Sequence, residues 1–262
     1  MSGPRVDISG GLSFRTQLRD LRPLVGTFIK TPSPHVVEIV SQSGFDFVVI
    51  DQEHAPFDRG ATDLAVLAAR AIGIPALVRV SASGAILAAL DDGADGVIVP
   101  HVPSAAAART IAASCRYEGG GRGYSNAPRA GRYGATAQSL HVAGEDARVA
   151  AIVMIEDAQA VADIDDIVAV EGVDAIFIGC ADLAVSLGQT SADSPRIREM
   201  AGHICRSAAQ SGRTVMAPAP TPAQARWLIE LGATALVVGS DQSMLRGAAE
   251  ATCEQFRSFR HR

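Results

Sequence analysis

Residues 45–54 read Phe-Asp-Phe-Val-Val-Ile-Asp-Gln-Glu-His. The apolar run 47–50 is too short for a helix and is rich in β-branched residues, so it reads as a strand buried on both faces. It leads directly into Asp51, Glu53 and His54. In parallel α/β sheets the C-terminal lip of the strands is where ligands bind and catalytic groups stand. A buried strand that ends in two acids and a histidine therefore predicts an enzyme.

Working outward, similar short runs recur at 25–30, 76–80, 96–100, 151–155, 175–178, 214–217 and 235–238. Amphipathic segments of helical length lie between them, for example 59–72, 194–210 and 222–231. Eight such βα units predict a closed (β/α)8 barrel, with residues 1–262 forming one domain. An open doubly wound sheet usually has fewer strands, and no Gly-x-Gly-x-x-Gly opens a helix after the first one. The irregular stretch 117–134 is rich in glycine and carries Arg122, Arg129 and Arg132 with Tyr124 and Tyr133. It reads as a functional loop between strands four and five.

The composition excludes several classes of function. At 48% hydrophobic residues the chain can cover both faces of a parallel sheet, and its net charge of −5 offers no general attraction to nucleic acid or anionic lipid. Its 262 residues contain no basic-then-apolar leader and no membrane-length apolar window. Cys115, Cys180, Cys205 and Cys253 have neither metal-type nor disulfide-type spacing, which suggests mostly core thiols in a reducing, cytoplasmic compartment.

If the eight runs are strands, the residues just after them share one mouth: Lys30; Asp51, Glu53 and His54; Arg79; His101; Glu156; Asp182; Pro218; Ser240 and Asp241. Glu156 and Asp182, ending strands five and six, could hold a divalent ion such as Mg²⁺ or Mn²⁺ together with water and substrate oxygens. They could equally cap the helices that follow, Asp182 ahead of 183–187. Arg79 suits a carboxylate or enolate oxygen, or a structural ion pair across the mouth. His54 is the proton-transfer candidate, with Asp51 or another acid orienting its ring. Lys30 is the only lysine in the chain.

At this point nearly the whole chain resembles the metal-dependent pyruvate aldolases of the HpcH/HpaI group. The matching segments run from Gly44-Phe45-Asp46-Phe47 through Asp51-x-Glu53-His54-Ala55-Pro56, Val78-Arg79, Ala89-Leu90-Asp91-x-Gly93-Ala94 and Gly121-Arg122-Gly123. They continue through Ile155-Glu156, Val170-Glu171-Gly172-Val173-Asp174, Gly179-x-Ala181-Asp182-Leu183 and Val238-Gly239-Ser240-Asp241. The resemblance implies a (β/α)8 TIM barrel assembled as a hexamer, a trimer of dimers, whose last helix, 243–259, packs on a neighbouring subunit. It implies aldol cleavage of a 4-hydroxy-2-oxo acid to pyruvate and an aldehyde, with a divalent ion (Mg²⁺, Mn²⁺ or Co²⁺) on Glu156 and Asp182. By the same resemblance His54 is the base and Arg79 stabilises the enolate. Gly179, Ala181 and Asp182 would line the pyruvate site. Asp91 would raise the basicity of the histidine, in its own or a neighbouring subunit's site.

Three positions depart from the family pattern: Met154 replaces a glutamine, Cys180 a proline, and Lys30 a small residue. They keep other readings open. One is a Schiff-base aldolase working through Lys30. Another is an oxaloacetate decarboxylase or acyl-CoA lyase using the same enolate chemistry, and the last is a barrel that binds a 2-oxo acid without catalysis.

Overall fold

In the computed structural model, residues 12–257 and 259 are described. The strands are β1 (Leu24–Ile29), β2 (Phe47–Asp51), β3 (Ala76–Arg79), β4 (Gly96–Val99), β5 (Ala150–Ile155), β6 (Ala175–Ile178), β7 (Thr214–Pro218) and β8 (Ala235–Ser240). All pair in parallel and in sequence order, and β8 closes on β1. Every expected strand is present, with ends that differ by a residue or two.

Alternation along each strand divides the core into two. Phe47 and Val49 of β2, Ile152 and Met154 of β5, and Phe177 of β6 fill the barrel interior, while Val48, Ile50, Val153 and Ile155 pack outward under the helices. The helix Arg59–Ile72 shows why the outer layer forms. Thr62, Ala65, Val66 and Ala69 recur at helical spacing on its buried face, the Asp58 side chain accepts the Ala61 amide at 2.7 Å, and Gly73 ends it in the left-handed region at φ 87°.

The base of the barrel is closed by a short helix, Phe14–Arg19, that the strand pattern does not announce. Its buried Phe14 and Leu18 face the interior, with the Phe14 ring 5.1 Å from that of Phe47. Phe47 has room because its β1 partner is Gly26. A Cβ there would stand 2.4 Å from the Phe47 ring.

The last helix behaves differently from the others. Expected over 243–259, it is observed as Asp241–Gln255, with residue 258 outside the described residues. Only Asp241 is buried. Its carboxylate anchors the helix by accepting the Lys30 and Thr31 amides at 2.6 and 3.1 Å, while Leu245 stays 72% exposed and the following Phe256 59%. No described helix is long and apolar enough to cross a membrane.

Gly26→Ala tests the packing of the base. The Phe47 ring is fully buried and cannot swing aside, so the variant is expected to lose about 1–3 kcal/mol in urea unfolding.

Candidate active site

The alternation that points Phe47 and Val49 inward also points Asp51 inward, and likewise Arg79 after Leu77 and Glu156 after Met154. Charged groups thus replace apolar ones in the top layer of the barrel. Asp51 is fully buried. Its carboxylate accepts Arg79 Nε at 2.9 Å and Nη2 at 2.7 Å, pairs with Lys30 Nζ at 3.1 Å, and accepts the amides of Glu53 and His54 at 3.2 Å each. Burial alone would raise its pKa. The bonds and charge of Arg79, the His54 amide and Lys30 outweigh that and hold Asp51 below the usual carboxylate value of 3.8.

Arg79 is nearly buried and rigidly held: two of its nitrogens face Asp51, and Nη1 lies 3.4 Å from Glu53. Its guanidinium also lies 4.8 Å from the centre of the Phe28 ring, on whose face Lys30 Nζ sits at 5.7 Å. Phe28 carries no polar signal in the sequence, but its position two residues before Lys30 marks it as an inward neighbour.

Glu156 is 4% exposed and has no such pair of strong cations. Its Oε1 accepts the backbone N–H of His101 and lies 2.8 Å from His101 Nδ1, while His101 Nε2 lies 3.2 Å from Glu53 Oε1. Burial raises the Glu156 pKa above its ordinary value of 4.5. The carboxylates of Glu53 and Asp182 raise it further, against the opposing effect of His101. The buried Oε2 of Glu53 has no hydrogen-bond partner. Gly179 faces Glu156 across the strand pair: a Cβ there would stand 2.8 Å from Glu156 Cβ, 3.2 Å from Oε2 and 2.7 Å from Met154 Cε.

Among the described residues no three His, Cys, Asp or Glu side chains converge to cage an ion. A buried carboxylate destabilised by neighbouring carboxylates is nonetheless a good site for a divalent cation. Glu156 and Asp182, whose charges act on each other, would supply two oxygen donors. Asp182 lies in the first turn of the helix Cys180–Ser186, whose N-cap is Gly179, so it is not the N-cap. Its side chain is exposed at the mouth.

His54 stands at the mouth with its side chain 56% exposed, its Nε2 3.8 Å from Glu53 Oε2. The structure refines the expected role of Asp51. Its carboxylate, turned inward onto Arg79 and Lys30, positions His54 through the backbone amide, and Glu53 is the acid facing the ring. Asp91 is not brought to His54 within one chain. It ends the helix Ile86–Asp91 just ahead of β4, at the base of the barrel, where Arg122 lies 3.5 Å away.

The start of the 117–134 loop also sits at the base, where the amides of Tyr117 and Glu118 donate to Asp146. Arg122 is buried against Glu145, just ahead of β5, and a cavity of about 620 Å³ opens beside Tyr117, Arg122 and Tyr124. Cys115, Cys180 and Cys205 are buried, as expected of core thiols, whereas Cys253 on the last helix is exposed; burial pushes the thiol of Cys180, which stands beside the site, up to about 12.

A parallel barrel with acids, an arginine and a histidine gathered at the C-terminal strand ends has the layout of a barrel enzyme. The chain belongs to the HpcH/HpaI aldolase/citrate lyase family, whose profile matches residues 24–248. It is 32% identical over 248 residues to 5-keto-4-deoxy-D-glucarate aldolase of Escherichia coli strain E24377A, covering 93% of this chain and 96% of that one. Among solved structures, an HpcH/HpaI aldolase/citrate lyase family protein from Burkholderia cenocepacia J2315 matches with a TM-score of 0.87 and 30% identity over 93% of this chain and 98% of that one. The citrate synthase SbnG matches with a TM-score of 0.85 and 28% identity over 96% and 100%.

Asp51→Asn tests the electrostatic centre. It removes the buried carboxylate shared by Arg79 and Lys30 and leaves Arg79 only the longer contact with Glu53, so urea unfolding at pH 7 is expected to show a loss of about 3–5 kcal/mol. Because the folded pKa of Asp51 is depressed, its contribution is complete above the unfolded value and is lost as pH falls through the lower folded value. The gap between wild type and variant is therefore expected to narrow below about pH 4, measured by urea unfolding across that range.

Proposed function

We propose that this barrel catalyses the reversible aldol cleavage of a 4-hydroxy-2-oxo acid to pyruvate, or a related 2-oxo acid, and an aldehyde. The observation that carries the reading is the buried Glu156, set against Glu53 and Asp182 and sharing the mouth with Arg79 and His54. Glu156 and Asp182 would hold a divalent ion, Mg²⁺, Mn²⁺ or Co²⁺, which when bound supplies Lewis-acid stabilisation of negative charge on a 2-oxo acid.

The chain's own residues perform the rest. Cleavage between C3 and C4 leaves the electron pair on an enolate of the 2-oxo acid, with charge building on the C2 oxygen. Arg79, locked by Asp51, presents a cation whose orientation does not have to be reorganised as that charge develops. His54, exposed at the mouth, takes the C4 hydroxyl proton in cleavage and returns it in condensation. The Gly179 amide is taken by the Ile155 carbonyl, whereas the amides of Ala181 and Asp182 precede the first bond of their helix, Leu183 N–H to the Gly179 carbonyl, and would be available to a substrate carboxylate.

Lys30 is a weaker candidate for Schiff-base chemistry, because its amine is committed to the ionised Asp51. The likeness to a citrate synthase keeps a second reading in view, enolate chemistry on oxaloacetate at the same site. A homo-oligomer, with the exposed face of the helix Asp241–Gln255 covered by another subunit, would account for the apolar side chains it leaves in water.

The substrate named by the relative, 5-keto-4-deoxy-D-glucarate, is the first to try, with pyruvate release read by coupled lactate dehydrogenase. Activity is expected with Mn²⁺ or Mg²⁺, to vanish with chelator and return on adding metal, and to fall by more than about 100-fold in Glu156→Gln. Activity that survives chelation, together with borohydride trapping of pyruvate on Lys30, would replace the metal reading with the Schiff-base one.

A further inference from the structure

His101 has no role in the chemistry above, yet its backbone is the most unusual feature of the mouth. It follows Pro100 at the end of β4 with φ at 54°, in the left-handed region that non-glycine residues rarely enter. That conformation turns its backbone N–H and its ring Nδ1 toward the same oxygen, Glu156 Oε1. A glycine would adopt this backbone more readily and keep the amide bond, so the imidazole must supply something the backbone alone does not.

The contacts show what the ring adds. Nδ1 lies 2.8 Å from Oε1, so the ring and the backbone amide both crowd that one oxygen. Oε2 is left open on the side kept clear by Gly179, where a Cβ would stand only 3.2 Å away. The other ring nitrogen, 3.2 Å from Glu53 Oε1, holds a third carboxylate on the far side of the imidazole from Glu156.

We propose that His101 is a positioning residue for a divalent cation: it fixes Glu156 as a one-oxygen ligand through Oε2 and keeps Glu53 out of the ligand set. The inference rests on the cation reading of Glu156 and Asp182 and adds to it a residue that touches neither ion nor substrate. A site restricted to two carboxylates, one of them monodentate, suits small ions that retain water. A site that gains Glu53 would move toward the higher oxygen count Ca²⁺ prefers.

The left-handed backbone makes the test clean, because glycine and asparagine are the residues that tolerate it best. His101→Gly removes the ring and keeps the amide bond. His101→Asn returns a side-chain N–H close to the place of Nδ1. Binding of Mn²⁺ alone to metal-free protein is measured from the free-ion paramagnetic resonance signal, with Ca²⁺ as competitor and thermal melting as a check on folding.

The expected result is Mn²⁺ binding about 10–100-fold weaker in His101→Gly, recovery of most of that loss in His101→Asn, and more effective Ca²⁺ competition in the glycine variant. Wild-type affinity in a folded His101→Gly would overturn the role of His101 and leave the cation site standing. Equal loss in both variants would overturn it too, since the N–H would then not be what matters. Wild-type protein that binds no Mn²⁺ would overturn both the cation reading and this one.

Discussion

Bringing several carboxylates to one end of a nearly dry barrel is the constraint on which this structure depends. Asp51, Glu53 and Glu156 all lie at the ends of interior-facing strands or immediately beyond them, where water is scarce and like charges repel strongly. The fold resolves this unevenly. Asp51 receives two cations and two amides, whereas Glu156 receives one backbone hydrogen bond and the close ring of His101, and the repulsion of two neighbouring acids. Asp51 therefore serves as a structural anchor, and Glu156 is the group with an unmet demand for positive charge. The proposed chemistry follows from that asymmetry.

The positions that set this chain apart from the family pattern take on physical meaning in this setting. Lys30 supplies the second cation on Asp51 and shares the Phe28 ring with Arg79. Met154 fills the interior directly below Glu156 and, with it, leaves Gly179 no room for a side chain. Cys180 is a buried apolar filler at the start of the helix that carries Asp182. None of the three disturbs the barrel, and Lys30 and Met154 both bear on the mouth.

Much of this was legible in the sequence because parallel strands buried on both faces leave short β-branched runs, and strict alternation decides which residue enters the barrel. That rule turns Asp51, Arg79 and Glu156 inward, and in the structure all three are buried and Arg79 pairs with Asp51. What it cannot provide is the direction of a side chain beyond the last strand residue. Asp51 reaches the backbone of His54 and leaves the ring to Glu53, and His101 owes its role to a left-handed turn that its sequence neighbours do not signal. Asp91 and Arg122 belong to the base because a helix carries the chain back before each next strand, a topological fact that motif spacing does not encode. The last helix, which the resemblance expects to pack on a neighbouring subunit, buries only Asp241 within one chain and leaves Leu245 exposed.

The central claim is that this mouth stabilises the enolate of a 2-oxo acid with a divalent ion on Glu156 and a proton shuttle at His54. The most direct measurement is the exchange of pyruvate methyl protons with deuterated water, followed by proton NMR without any aldehyde present. Exchange that requires Mn²⁺ or Mg²⁺ and disappears in Glu156→Gln and His54→Ala is the predicted result. Exchange at the wild-type rate in metal-free protein or in Glu156→Gln would contradict the account.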